Sequence, residues 1–505
     1  MSEKAQKALD ELTAVVNRIS LLQSCASLLG WDERTGMPRK GANHRANQQS
    51  LLAGMVHEQF TAPKINDLIS EVEHSNLIAD SLSPAAVNIR ELRRIYDKQM
   101  RMPRYLVEEL SRTTSLAEQA WVEARKKSDF KMFSPWLAKI IELKHKEAEA
   151  KGYEKEAYDA LLDDYEPGET SANIQKVFTD LKADLIPLVE AIAKAPRRPD
   201  TSIIERDYPV DRQAIFGKAA SAAIGFDFNA GRLDTTTHPF CTTIGTGDVR
   251  ILTRYDPNHF GQAFFGILHE SGHGLYEQGL DPKHYGMPMG ETVSLGIHES
   301  QSRMWENNVG RSRSFWEYFY PRAQQTFWEA LNDVTLDEFY FAVNEVKPSF
   351  IRVESDEATY NLHILIRFEL ELAIFKHELK TDDIAAAWNE RFQKYLGITP
   401  PDDASGCLQD VHWGAGLIGY FPTYTLGNLY AAQFFTKAKR DIANMDEHFA
   451  RGQFNVLLNW LRENIHCHGQ KYRAVELIQK VTGEPLSHKY LINYLREKYA
   501  PLYGI

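Results

Sequence analysis

The sequence predicts a mostly α-helical fold with one small antiparallel β element. Helical spacing is the first observation, because apolar residues over 106–121 and again over 365–379 recur at intervals that place them on one helix face. The second observation is the scarcity of strand-like alternation. Its best candidate is 226–255, where Thr, Phe, Ile and Val cluster among glycines. A hairpin or small antiparallel sheet is therefore expected there, inside an otherwise helical protein.

The composition is that of a large globular protein. Of 505 residues, 43% are hydrophobic and 25% are charged, which supports a large core and excludes collagen-like and disordered classes. The net charge of −11 argues against nucleic acid or an anionic membrane as a partner through the overall field. No continuous apolar run reaches the roughly 18 residues that a membrane span needs. Residues 1–20 have the spacing of an amphipathic surface helix rather than a signal peptide.

The organisation of the chain indicates one body. Two proline-rich connections, 195–211 and 397–406, each end a helix or form a surface loop, and neither has the length or repetition of a flexible tether. We predict a single domain over 1–505, with an N-terminal helical lobe at about 1–200 and a catalytic region at about 201–505. The four cysteines form no C-x-x-C pair, so a reducing, cytoplasmic location is expected.

The strongest chemical signal is an H-E-x-x-H pattern, His269-Glu270-Ser271-Gly272-His273. Residues four apart project from one face of a helix, so both imidazoles can bind one metal ion. Glu270 lies about 100° further round the helix, where it can reach a metal-bound water. This is the arrangement of a zinc hydrolase. The alternative is a surface helix that carries two histidines by chance.

Three glycines within the same segment favour a buried helix. Gly266, Gly272 and Gly274 each cost roughly 1 kcal/mol relative to Ala in a helix interior. They make sense if a strand, a helix or a substrate approaches the helix closely. The apolar residues at 264–268 point the same way, because a buried pair of histidines needs partners that a metal ion supplies.

A catalytic zinc ion takes a third protein ligand and keeps an open position. Glu299, 26 residues after His273, is the first candidate, since that distance allows a turn and a return on a second helix. Glu306 is the second candidate and His298 the third. Without the two histidines upstream, Glu299 would be interpreted as a solvated helix charge.

Eight segments in the same order resemble the carboxypeptidase Taq family of metallocarboxypeptidases, over nearly the whole chain. They are 31–38, 158–168, 238–240, 248–250, 269–273, 298–301, 351–356 and 406–413. Two positions depart from the family pattern. Leu252 stands where the family has Thr, and Ser355 where it has Ala.

The resemblance implies a saddle-shaped, almost entirely helical homodimer with a long cleft. It implies release of single amino acids from the free C-terminus of peptides, by attack of a metal-bound water that Glu270 activates. His269, His273 and Glu299 would hold one Zn²⁺ per chain, with Co²⁺ or Mn²⁺ as possible substitutes. The expected partners are peptides with a free C-terminal carboxylate, a second copy of the chain, and neither nucleic acid nor membrane.

An exopeptidase must recognise a free carboxylate, and the guanidinium of Arg binds carboxylates through two parallel hydrogen bonds. Arg352, which lies in a family motif, is the first candidate. Arg250 and Arg254 are alternatives, although Arg250 could equally pair with the nearby Asp248.

The oxyanion of the tetrahedral intermediate needs a hydrogen-bond donor besides the metal ion. His238, His412 and Tyr424 are the candidates, and Gln409 is a candidate for contact with the terminal region of the substrate. His238 falls in the strand-like segment, where an edge strand could also pair with an extended peptide.

Two alternative functions stay open at this stage. A metallo-oligopeptidase that cuts internally would not require a carboxylate-binding Arg. A non-catalytic, peptide-binding helical protein would not need Glu270, because a metal site alone requires no general base.

Overall fold

The computed structural model describes residues 2–505 and confirms a mostly helical fold. Its helices are α1 Ser2–Thr35, α2 Ala42–Phe60, α3 Pro63–Glu73, α4 Pro84–Arg101, α5 Arg104–Lys127, α6 Ser134–Lys151, α7 Ala157–Leu162, α8 Ser171–Lys194, α9 Val210–Ala223, α10 Phe260–Glu277, α11 Leu295–Arg303, α12 Arg313–Thr326, α13 Trp328–Leu331, α14 Leu336–Ala342, α15 Tyr360–Phe375, α16 Ile384–Leu396, α17 Pro422–Asp441, α18 Met445–Ala450, α19 Asn455–Asn464, α20 Ala474–Thr482 and α21 Lys489–Tyr503. The strands β1 Gly231–Thr235, β2 Phe240–Gly245 and β3 Asp248–Thr253 lie between α9 and α10, inside the predicted segment.

Both proline-rich connections follow the end of a helix. α8 ends at Lys194, directly before the first of them. α16 ends at Leu396, where Gly397 takes a left-handed φ of 71° that a side chain would disfavour. Local signals therefore predicted these two helix ends correctly.

The sheet is mixed and not purely antiparallel, which corrects one detail of the prediction. Its strand order is β1-β3-β2, with β1 parallel and β2 antiparallel to the central β3. The chain reverses once in the 236–239 loop and once after β2, so that β1 and β3 run in the same direction. The sequence indicates where the strands are, but not to which edge of β3 each of them is added.

The sheet lies between two helices. Ile251 of β3 is buried and faces α10, where it lies next to Gly274. On the opposite face, the aligned Arg232 and Arg250 place their guanidinium carbons 5.0 and 4.3 Å from the ring centroid of Trp31 in α1. The successive residues Arg250 and Ile251 of β3 therefore contact two different helices, because successive side chains of a strand point to opposite faces of the sheet.

The apolar core has two parts. The smaller part is built mainly by α1 to α4 and includes Leu12 and Met287. The larger part extends from Ala117 to Tyr503. The single domain and the division near residue 200 stay predictions.

α1 departs from the expectation that no segment resembles a membrane span. Within Glu3–Thr35 it is long and apolar enough to cross a membrane by length and composition alone. In the structure, its apolar face packs into the smaller core through Ala8, Leu12, Val16 and Ile19. Only 17% of its most apolar window is buried, and one helix that passes this test of length and composition is weak evidence for a membrane span.

Candidate metal centre

α10 presents the H-E-x-x-H residues as the sequence predicts. The helix begins where the side chain of His259 accepts a hydrogen bond from the backbone N–H of Gln262. Its apolar residues are buried, and the imidazole rings of His269 and His273 lie 4.9 Å apart on one face. The segment is therefore a core helix with two adjacent imidazoles, and not an exposed helix with two unrelated histidines.

Glu299 reaches this pair from the neighbouring helix α11. Its Oε2 lies 3.7 Å from Nε2 of His269 and 3.4 Å from Nε2 of His273. One potential ligand atom from each of the three residues lies within 4.8 Å of the other two. Two imidazole nitrogens and one carboxylate oxygen form a donor set that suits Zn²⁺ in hydrolases.

Glycines allow α11 to approach so closely. A Cβ added at Gly272 of α10 would lie 2.5 Å from the backbone oxygen of Gln301. A Cβ added at Gly427 of α17 would lie 2.5 Å from Cγ of Glu299. α11 is thus held between two helices at positions that have no room for a side chain. The expectation of close approach applies to Gly272, but at Gly266 the nearest atom would be 3.7 Å away, an ordinary contact.

We predict opposite effects of alanine at these two glycines. Gly272→Ala should destabilise the protein by about 1–3 kcal/mol, since the new methyl group would press on backbone that cannot rotate away. Gly266→Ala should be neutral or stabilise it by up to about 1 kcal/mol, because alanine is the better helix former. Thermal unfolding of both variants checks this. Equal midpoints would show that α10 and α11 can separate without cost.

Glu306, the second candidate for the third ligand, lies on the other side of His269. Its Oε2 is 2.9 Å from Nδ1 of His269, whereas Glu299 approaches Nε2. Glu306 sits in the π-helical turn Met304–Val309 that follows α11. A carboxylate on the second nitrogen of a metal-binding imidazole fixes its tautomer and its orientation.

His298, the third candidate, makes the equivalent contact to His273. Its Nδ1 lies 2.6 Å from Nδ1 of His273, and its Nε2 lies 2.8 Å from Oε1 of Glu277. If Nε2 of His273 is free for a metal ion, its Nδ1 carries the proton and donates a hydrogen bond to Nδ1 of His298. His298 then donates from Nε2 to Glu277. Both lower-ranked candidates therefore occupy positions that orient the imidazoles.

Glu270 is buried beside this cluster with one oxygen unpaired. Its side chain is 6% exposed, and Oε2 makes no hydrogen bond to any of the described residues. Burial raises the pKa of Glu270 to about 7. A buried carboxylate oxygen without a donor fits a site whose missing partner is a water molecule or a substrate group.

Arg352 belongs to a buried group of charges. Its Nε and Nη2 donate to Oδ1 of Asp410 at 3.0 and 2.7 Å, and its Nη1 donates to the hydroxyl of Tyr360 at 2.9 Å. Arg367, which is fully buried, donates from Nε to Oδ2 of the same carboxylate at 2.7 Å. Burial alone would raise the pKa of Asp410, but the two guanidinium groups lower it well below its usual range. Two positive charges of these three side chains therefore share the one negative charge of Asp410, and the buried carboxyl of Glu371, one turn after Arg367, also interacts with Arg367.

Gln409 uses its side-chain amide on the backbone. Nε2 donates to carbonyl oxygens of Phe350, Ser405 and Gly406 at 2.9–3.1 Å. Oε1 accepts the backbone N–H of Arg352 at 2.8 Å. The residue joins the loop that carries Arg352 to the loop that carries Asp410, and this occupies its polar atoms.

Tyr424 and His412 contact each other beside Arg352. The hydroxyl of Tyr424 is 3.2 Å from Nε2 of His412, and the guanidinium carbon of Arg352 is 4.9 Å from the centroid of the Tyr424 ring. Burial raises the pKa of Tyr424 well above its usual value, and the nearby charge of Glu299 contributes to the shift. Burial lowers the pKa of His412 to about 4, so its imidazole is neutral at pH 7. A neutral imidazole carries one N–H, so when Nε2 of His412 donates to Tyr424, the tyrosine hydroxyl is free to donate a hydrogen bond beside Arg352.

The other predicted substrate residues make no hydrogen bond or ion pair with these groups in the described part of the chain. His238 is exposed in the 236–239 loop, not in a strand, and its side chain makes no hydrogen bond within the described part of the chain. Arg250 donates to both oxygens of Asp248 at 2.8 and 2.7 Å, on the face of β3 that points away from α10. Arg254 follows β3 and is exposed.

The two departures from the family pattern have different surroundings. Leu252 is fully buried, and the hydroxyl of the adjacent Thr253 is buried without a hydrogen-bond partner among the described residues. Ser355 contacts Nε2 of His363 at 2.8 Å and the hydroxyl of Ser349 at 2.9 Å, contacts that an alanine could not make.

Three residues at the site were not predicted from the sequence. They are Arg303, which contacts Glu299, Tyr360, which contacts Arg352, and Arg367, which shares Asp410 with Arg352. Arg367 has a signal in the sequence, since it is a charge within the apolar run of α15, where every neighbour from Tyr360 to Phe368 is buried. Arg303 also has one, since it stands four residues after Glu299 and three before Glu306. Tyr360 has none, because its contact with Arg352 forms only in the folded protein.

Comparison with known proteins places these observations in a family. The family model for carboxypeptidase Taq (M32) metallopeptidases matches residues 11–499. The chain is 48% identical to thermostable carboxypeptidase 1 of Thermus thermophilus, over 99% of each protein, and 42% identical to carboxypeptidase 1 of Bacillus subtilis, over 98% of each. The crystal structure of the M32 carboxypeptidase from Deinococcus radiodurans superposes with a TM-score of 0.96 at 39% identity, covering 99% of this chain and 100% of that one. The chain therefore belongs to the carboxypeptidase Taq (M32) metallopeptidase family and is a metal-dependent carboxypeptidase.

Proposed function

We propose that this enzyme releases single amino acids from the free C-terminus of peptides, and that Arg352 binds the terminal carboxylate. The observation that supports this most directly is that the two buried guanidinium groups of Arg352 and Arg367 share the single carboxylate of Asp410. An uncompensated buried charge is costly, and an anionic ligand would balance it. A substrate carboxylate on Arg352 would do so through charge-assisted hydrogen bonds.

We further propose that His269, His273 and Glu299 hold one Zn²⁺ per chain, with Co²⁺ or Mn²⁺ as substitutes. Two neutral imidazoles and a carboxylate suit Zn²⁺ and leave a position open. When bound, the ion polarises the scissile carbonyl and lowers the pKa of a water molecule towards roughly 7.

Glu270 would act as the proton carrier. Oε2, which has no hydrogen-bond partner among the described residues, accepts the proton of the attacking water and later delivers it to the leaving amine. Its burial favours this role, because an unperturbed carboxylate would be a weaker base at neutral pH.

Tyr424 and His412 would face the developing oxyanion. Tyr424 lies next to Arg352, is reached by the charge of Glu299 and contacts His412, so a peptide whose carboxylate contacts Arg352 would place its last carbonyl beside this pair. A donor that is already in place stabilises the charge without reorganisation. Gln409 would hold the loop of Arg352 in position, while His238 and Arg250 have no part in this proposal.

We also propose an oligomeric state and a cellular location. The protein would be a homodimer, as the family resemblance implies, and would be cytoplasmic. All four cysteines are free thiols, as expected in a reducing compartment.

A pair of peptides tests the function. One peptide carries a free C-terminus and its twin is amidated, and the metal content is determined on the same enzyme sample. We expect stepwise loss of single residues from the free acid only, and no cleavage after a chelator removes the metal ion. Metal-dependent internal cuts in both peptides would indicate an oligopeptidase instead. Metal binding without cleavage of either peptide would favour a peptide-binding protein.

A further inference from the structure

Arg303 lies one helical turn after Glu299 and contacts two carboxylates of the metal centre. Its side chain is 14% exposed. Nε donates to Oε1 of Glu299 at 2.7 Å, and Nη1 donates to Oε2 of Glu306 at 3.2 Å. The ring of Tyr360 covers the guanidinium, with 4.3 Å between Cζ and the ring centroid. The group is therefore fixed from several sides.

The contact makes the two oxygens of Glu299 unequal. Oε1 is occupied by Arg303, while Oε2 faces Nε2 of both histidines and accepts the hydroxyl of Ser302 at 3.0 Å. A carboxylate held in this way offers one oxygen to an ion and not two. Since Zn²⁺ needs an open position for catalysis, a second oxygen from Glu299 would compete with water or substrate for it.

Arg303 also acts on His269 through Glu306. Glu306 accepts from Arg303 and contacts Nδ1 of His269 at 2.9 Å. His273 depends on different residues, His298 and Glu277. Removal of Arg303 would therefore free Oε1 of Glu299 and leave Glu306 with Arg311 as its arginine partner, while His273 keeps both of its partners.

We infer that Arg303 is a positioning residue that restricts Glu299 to one-oxygen coordination and thereby keeps a position on the ion open. The inference rests on the ligand assignment proposed above. It predicts an effect on the bound ion itself, which is measurable without any substrate. Partners that orient ligands typically change metal affinity 10- to 100-fold.

The test uses the full-length chain, stripped of metal and reloaded with Co²⁺. Arg303→Met keeps the aliphatic stem and removes every donor, and Arg303→Lys keeps the charge with a single ammonium. We expect the Co²⁺ dissociation constant of Arg303→Met, from competition with a chelator, to rise about 10- to 100-fold. Its visible absorption should weaken, because Co²⁺ bands lose intensity as the coordination number rises. Arg303→Lys should lie between the wild type and Arg303→Met.

Arg352→Met is the matched control. Arg352 is also buried, bonded to a carboxylate and next to Tyr360, but it does not contact a proposed ligand. Its Co²⁺ spectrum and affinity should equal those of the wild type. If Arg303→Met fails to fold, the spectrum of Arg303→Lys decides. Wild-type spectra and affinities in the folded Arg303 variants would overturn the inference alone. Co²⁺ affinity of the Glu299→Ala variant equal to that of the wild type would overturn the ligand assignment as well.

Discussion

Replacing Glu270 by Gln should abolish peptide hydrolysis and leave the metal ion bound. The amide cannot accept the proton of a water molecule, and the loss of a general base lowers kcat by about 10²- to 10⁴-fold. The proposed ligands His269, His273 and Glu299 stay intact, so the metal content should not change. The turnover of a free-acid peptide and the metal content of the same sample measure both expectations.

The fold should tolerate this substitution. Oε2 of Glu270 has no hydrogen-bond partner among the described residues, and the buried carboxylate itself is costly. Thermal unfolding of Glu270→Gln should therefore match or exceed that of the wild type, which separates a catalytic effect from unfolding. Retained turnover would place the base elsewhere, and a simultaneous loss of the metal ion would make Glu270 part of the metal site instead.

Replacing Arg352 by Met should sharply lower the hydrolysis of peptides with a free C-terminus. A hydrogen bond to a charged group contributes about 1.5–3 kcal/mol, so kcat/KM for the free acid should fall roughly 10- to 150-fold. The amidated twin lacks the carboxylate, so it should stay uncleaved by both the wild type and the variant. The kcat/KM of the variant for the free acid, relative to that of the wild type, is the quantity to measure.

The charges of the site make this variant well suited to the test. Without Arg352, Asp410 still pairs with Arg367, so the buried group becomes neutral and no charge is stranded. Arg250→Met is the control, since Arg250 pairs with Asp248 on the far side of β3. A kcat/KM for the free acid that survives in Arg352→Met but is lost in Arg250→Met or Arg254→Met would transfer the carboxylate site to that residue.

The parts of the site that sequence predicted are those that local spacing determines. His269 and His273 are four residues apart on one helix, and Glu299 needed only a second helix after a turn. Arg367 was missed because tertiary packing alone brings it to Asp410, 43 residues away. Arg303 was missed although its spacing of four residues from Glu299 and three from Glu306 is visible in the sequence. The edge of β3 to which β1 is added is likewise a property of the path of the chain, which periodicity does not encode.

The role of Gln409 illustrates the same limit. Its place in a family motif made it a candidate for substrate contact, yet its amide is bonded to the backbone of Phe350, Ser405, Gly406 and Arg352. A single sequence does not distinguish a residue that joins two loops from a residue that contacts a substrate. Only coordinates distinguish them, because the difference lies in which partners the polar atoms have.

The pair of buried guanidinium groups, Arg352 and Arg367, also has a consequence for product release. A released amino acid carries the same α-carboxylate as the peptide it came from, so under the proposed role of Arg352 the same group would also bind the product. Product inhibition should then increase as free amino acids accumulate. Small organic acids in a buffer would inhibit in the same way, so the buffer anion has to be stated with any kinetic constant of this enzyme.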